Sequence, residues 1–195
     1  MYKRQFWDRV GATSVQSWLA AERGRVLREL GLHADAERLE WPALAAADDP
    51  VDRAMLQVSL VADAVGRGDV DTAARRLAVA RDAVAALPSS PRAARQRLRL
   101  TWVGVEVAWL TGEVPSADGL PTIDADGTVT VPEELAHGTT FHRAKAWLFA
   151  GLVHARLDLL DRAAVDAPPV LAWAVHLARA DHGAEDGLAA ARAAW

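Results

Sequence analysis

The chain of 195 residues has no cysteine and no asparagine, a single isoleucine (Ile123) and two lysines (Lys3 and Lys145). Each shortage excludes something. Without cysteine there is no disulfide, no thiolate nucleophile and no cysteine-ligated zinc, and every redox compartment remains open. Three phenylalanines, one tyrosine and few β-branched residues other than valine argue against a large sheet. The longest apolar run, Ala146 to Val153, spans eight residues and falls well short of the eighteen or so that cross a bilayer, so no membrane partner is expected. Short catalytic signatures are missing too. There is no phosphate-cradling glycine loop ending in Gly-Lys, no serine elbow flanked by glycines and no His-Glu-x-x-His, so the chain reads as a non-enzyme that needs no cofactor.

What is present points to helix. Alanine makes up about a fifth of the chain, and 51% hydrophobic with 25% charged residues is the balance of a globular domain. Arginine supplies twenty of the 22 basic side chains against 26 acidic ones, a net charge of −4 and a residue usage that fits a GC-rich bacterial genome. The first five residues, Met1-Tyr2-Lys3-Arg4-Gln5, look like a sequencing-library adapter read in frame, so residues 1–5 are read as an artefact. A native chain would then continue upstream of Phe6. The cytoplasm is the default location.

Apolar periodicity and stop signals predict helices over about 12–30, 33–47, 51–66, 70–86, 91–111, 139–156, 158–166, 169–181 and 184–194. Asp49-Pro50 and Ser90-Pro91 place a capping side chain before a first-turn proline, and Gly31, Gly68 and Gly112 sit where a helix can end left-handed. Between Glu113 and Glu134 the pattern changes. Gly119, Pro121, Gly127 and Pro132 surround an alternating Thr128-Val129-Thr130-Val131, which predicts a small β-hairpin over Thr122 to Val131.

The joints repeat, since Gly31 is followed by Ala36 and Ala43 and Gly68 by Ala73 and Ala80 at the same spacing. With Gly24, Leu27 and Pro50 in the first unit, Ala64, Leu77 and Pro88 in the second, and Gly104, Gly112 and Ala117 opening a third, the pattern resembles the tetratricopeptide repeat. The family's signature tryptophan and tyrosine are missing from their places, and the pair around Gly151, Ala163 and Ala164 fits loosely. The resemblance implies an all-α fold, antiparallel helical hairpins stacked as a superhelix with the β-hairpin inserted near 122–131. Residues 6–118 would form the repeats, 119–138 a loop, and 139–195 C-terminal hairpins of the same domain. It also implies a scaffold that binds a protein or peptide on the concave face lined by the first helix of each pair. Carried over to this chain, that face comprises Trp18, Arg25, Arg28, Arg99, Trp102, Glu106, Trp109 and Lys145. The alternatives are a regulatory segment of a larger signalling or transcription protein, and a helical enzyme using Glu106 with a histidine.

Other constellations have simpler readings. The six histidines (His33, His137, His142, His154, His176, His182) lack the spacing of three or four that places metal ligands on one helix face. Thr122 to Glu133 resembles a calcium loop but opens on threonine, and a hairpin turning at Asp126-Gly127 explains the same residues. Seven arginines between residues 73 and 100 face only Asp82, and Arg92, Arg95 and Arg99 share a helix face. The negative net charge and the absence of aromatics between Trp41 and Trp102 argue against nucleic acid and for a solvated stripe, with the acids of 113–134 as neutralising partners. Trp102 and Trp109, seven apart on an almost wholly apolar helix, read as core or groove. Glu106 is expected to pair with an arginine such as Arg99, and His176 to bond a carbonyl.

Overall fold

The computed structural model describes residues 12–194, so the five-residue adapter-like start lies outside the described residues. Nine α-helices occur among the described residues: α1 Ala12–Glu29, α2 His33–Ala46, α3 Pro50–Gly66, α4 Val70–Ala85, α5 Pro91–Thr111, α6 Thr140–His154, α7 Leu157–Asp166, α8 Pro169–Asp181 and α9 Gly187–Ala194. The fold is all-α with one small antiparallel sheet, β1 Thr122–Ile123 and β2 Val129–Thr130, paired Thr122 with Thr130 and Ile123 with Val129. The chain divides into two compact units, one ending at Glu113 and one beginning at Val114.

Local chemistry sets the boundaries. Asp49 accepts from the backbone N–H groups of Val51 and Asp52, Ser90 accepts from Ala93 N at 3.1 Å, and in both helices proline occupies the first turn where no N–H partner is needed. Gly31, Gly68 and Gly112 all carry positive φ (74°, 66° and 75°), the conformation that lets the chain reverse after α1, α3 and α5. The inserted hairpin turns as its residues demand: Asp124 N donates to Thr128 O, Gly127 adopts φ 86°, and Asp126 accepts from Thr128 N.

In the first unit, α1 packs on α2 and α3 on α4, each second helix touches the first helix of the next pair, and α1, α3 and α5 touch in succession. This is a repeat-like array. Alanine makes it possible, because Ala36, Ala54, Ala64, Ala73, Ala80 and Ala93 are all fully buried and let helices approach closely. The second unit follows the same rule with α6, α7, α8 and α9. A Cβ at Gly187 would lie 2.6 Å from Ala180 N, and one at Gly151 would press into Leu160. Ser90→Ala removes one cap without disturbing packing and is expected to lower stability by about 1 kcal/mol, read from urea unfolding followed by circular dichroism.

Candidate functional site

Helix α3 is apolar nearly all round, with Leu56, Val58, Leu60 and Val61 at 2% exposure or less, yet Asp52, Ser59 and Asp63 are buried among them. Offsets of seven and eleven residues place these three polar side chains on one face. Neighbouring helices send polar groups to each. At Asp52, Ser14 Oγ of α1 donates at 2.5 Å and Arg92 Nη2 of α5 donates at 2.5 Å, with Asp49 accepting a second arm of Arg92 at 3.3 Å. Arg99 of α5 donates to Ser59 Oγ at 2.8 Å and to Gln96 Oε1 at 3.0 Å.

The densest cluster surrounds Asp63. Arg28 Nη1 of α1 donates to Glu40 Oε1 of α2 at 2.9 Å and lies 3.3 Å from both oxygens of Asp63, while His33 Nδ1 is 3.6 Å from Asp63 Oδ1. Both carboxylates are fully buried and the guanidinium is 14% exposed. Two glycines make the room. A Cβ on Gly24 would overlap the Glu40 carboxylate, and a Cβ on Gly66 would overlap the His33 ring. Burial pushes the Glu40 carboxyl up to about 7, against the opposing pull of Arg28, and pushes Asp63 upward for the same reason. Arg99 is brought down to about 10, first by burial and then by the positive charge of Arg28.

One turn before Glu40 on α2, Glu37 lies between Arg67 and Arg76; the Arg76 contact is 2.5 Å, and Arg76 also donates to Leu60 O at 3.0 Å. Trp41 stacks under the Arg76 guanidinium at 5.3 Å and donates its indole N–H to Glu37 at 3.1 Å. Part of the arginine-dense segment is engaged inside the first unit, while Arg75, Arg81, Arg92 and Arg95 are exposed. Arg76, Arg92 and Arg99 reach partners 39 to 43 residues away, and Arg97 donates to Leu87 O. Within the stripe Arg92 and Arg95 are exposed, and the acidic partners of Arg92 are Asp49 and Asp52 and not the acids of 113–134.

The residues carried over from the repeat family scatter. Trp18 (54%) and Trp109 (43%) are exposed, and Arg25 is exposed and paired to Glu22 and Glu29 within α1. Arg28, expected on an open face, is instead held between Glu40 and Asp63, and Trp102 is core at 4% exposure. Arg99 and Glu106 are half-buried. Arg99 gives its described bonds to Ser59 and Gln96, where pairing with Glu106 was expected. Lys145 belongs to the second unit, where its ammonium lies over the Phe149 ring at 5.2 Å. His176 accepts from Arg179 at 3.2 Å in place of the expected carbonyl.

Sequence reasoning passed over Glu40, Asp63, Asp52 and Ser59. A signal existed in α3, where three polar residues recur on one face of a mostly apolar helix. No protein-family profile matches the chain, and neither a curated protein nor a solved structure matches it. Among the described residues no helix is long and apolar enough to cross a membrane.

Two glycine substitutions separate the cluster's demands from helix propensity. Gly104→Ala in α5 meets nothing within 4 Å and should stabilise by about 0.5–1 kcal/mol. Gly24→Ala gains the same propensity but displaces a fully buried carboxylate from Arg28, so it should lower the thermal midpoint instead. Calorimetry of the two variants beside the parent chain reads both signs.

Proposed function

We propose that the first unit is a tetratricopeptide-like scaffold that binds a protein or peptide segment along α1, α3 and α5. The observation that carries the reading is the succession of contacts in which α1, α3 and α5 lie side by side while α2 and α4 back them. That is the arrangement by which such repeats present one continuous face, and the recurrence of Gly31-Ala36-Ala43 as Gly68-Ala73-Ala80 accompanies it. Binding would work by preorganised shape. Helices already fixed by packing lose little entropy when a partner docks, and a few large side chains supply most of the affinity.

The docking residues are narrower than the family pattern suggests. Arg28 and Trp102 hold the unit together, which leaves Trp18 and Arg25 on α1 and Trp109 on α5 as the exposed contacts. Beside Arg25, at the edge where α1 meets α2, lies a shallow groove of about 450 Å³, lined by Glu22, Arg23, Val26, Leu27 and Leu39. Its apolar floor suits the side chain of a bound segment.

Selection of the full chain against a displayed random-peptide library tests the reading. Enriched peptides should bind saturably and lose about tenfold or more in affinity to Trp18→Ala, with a smaller loss for Arg25→Ala. Peptides that bind both variants as tightly as the parent, with circular dichroism unchanged, would remove this face from consideration.

A further inference from the structure

The Arg28 cluster has one carboxyl too many for its single guanidinium. Glu40 Oε1 accepts from Arg28, but among the described residues no donor reaches the buried Glu40 Oε2. The neighbouring acceptor is Asp63, both of whose oxygens lie 3.3 Å from the same Arg28 Nη1 that Glu40 Oε1 accepts from at 2.9 Å. Two carboxylates this close, both fully buried, repel each other across a medium that screens weakly. The repulsion and the orphaned oxygen are removed together if Oε2 carries a proton and donates it to Asp63. The core of the cluster then becomes neutral, with one cation, one anion and one neutral acid.

We propose that Glu40 and Asp63 share a single solvent-derived proton, and that this proton fastens the α1–α2 hairpin to α3, so that the joint tightens in mildly acidic medium and slackens in alkaline medium. The inference concerns the joint itself and stands apart from the binding reading above.

The surroundings of the pair favour this arrangement. From α1 it faces Arg28, and from its own helix α2 it faces His33, with Glu37 one turn before Glu40. Helix α4 contributes Arg76, which feels Asp63, and α5 contributes Arg99 with Gln96, while Glu22 of α1 lies near enough to Arg99 to offset part of that charge. The Arg99 guanidinium makes its described hydrogen bonds to the neutral Ser59 and Gln96. It therefore does not serve as the donor that Oε2 lacks. The absence of a Cβ at Gly24 and Gly66 leaves the space that the carboxylate and the imidazole occupy.

The sign follows from linkage. A carboxyl raised from 4.5 to about 7 binds its proton more tightly in the folded chain than in the unfolded one. The resulting stabilisation is full below 4.5 and is lost as the pH rises through about 7. Asp63 is shifted in the same direction and adds to the trend.

Thermal unfolding of the full chain should give a midpoint that falls by about 5 °C or more between pH 5.5 and pH 8. In Glu40→Gln, whose amide can donate to Asp63 at every pH, that fall should shrink to less than half and the midpoint at pH 8 should equal or exceed the parent's. His33→Gln should keep the fall, because the proton resides on the carboxyl pair. A parent midpoint independent of pH, an undiminished fall in Glu40→Gln, or its loss in His33→Gln would each overturn the proposal. Infrared spectroscopy of the parent chain covers the case in which Glu40→Gln does not fold. A protonated-carboxyl C=O stretch that disappears as the pH passes about 7 supports the shared proton, and its absence at pH 5.5 refutes it.

Discussion

The first unit depends on one guanidinium held between two buried carboxylates. Arg28 reaches across from α1 to Glu40 on α2 and Asp63 on α3. Such a cluster is a poor source of net stability, because each ion gives up several kcal/mol of hydration before attraction returns it. Its value lies in register. The surrounding contacts pack Ala20, Ala21 and Ala47 with Leu39, Leu44, Met55 and Leu56, and apolar contact of this kind is non-directional. A slipped α1 would leave Glu40 and Asp63 buried without their cation, a penalty of about 3–5 kcal/mol that no alanine contact could offset.

The same device recurs along α3. Asp52 ties Ser14 of α1 to Arg92 of α5 at one end, Ser59 takes Arg99 near the middle, and Asp63 takes Arg28 at the other end. Spacing by two and then one helical turn keeps all three on one line, so α1 and α5 are aligned against a common ruler. Arginine suits this task better than lysine would. Its planar fork reaches two acceptors at once, as at Asp49 and Asp52 or at Glu37 and Leu60 O, and it stays charged when partly buried. The near-absence of lysine from this chain thus has a structural counterpart as well as a compositional one.

Helices and their ends were legible because their signals are local. The proline-preceded caps at Asp49 and Ser90, the left-handed glycines at 31, 68 and 112, and the turn at Asp126-Gly127 each act within a few residues, and periodicity did the rest. The polar interior was not legible, because its partners lie far apart in the chain. Arg92, Arg95 and Arg99 look like an unneutralised stripe when only residues 73–100 are considered; Asp49, Asp52 and Ser59 become neighbours of Arg92 and Arg99 only after two hairpins have folded. Glu40 was hidden for a further reason. In Glu37-Arg38-Leu39-Glu40-Trp41 it resembles any charged residue on a surface helix, and what buries it is Gly24, sixteen residues earlier.

The second unit reaches a similar stacking by another route, and the contrast bears on which region can respond to conditions. Its described ion pairs have acidic partners that are well exposed, Asp158 at 46%, Asp161 at 51% and Asp186 at 71%, where water screens the charges and each pair contributes little. Register there is set by contact instead: Gly187 lies against the Ala180 backbone and Gly151 against Leu160, approaches that any shift along the helix would turn into a clash. Steric fixing of that kind has no titratable part. Charge fixing does, since Glu40 and Asp63 hold α1 and α2 only in the protonation state that their burial permits. Of two units built by one stacking rule, the first carries the buried carboxyl pair, and it carries it at the joint that positions Trp18 and Arg25.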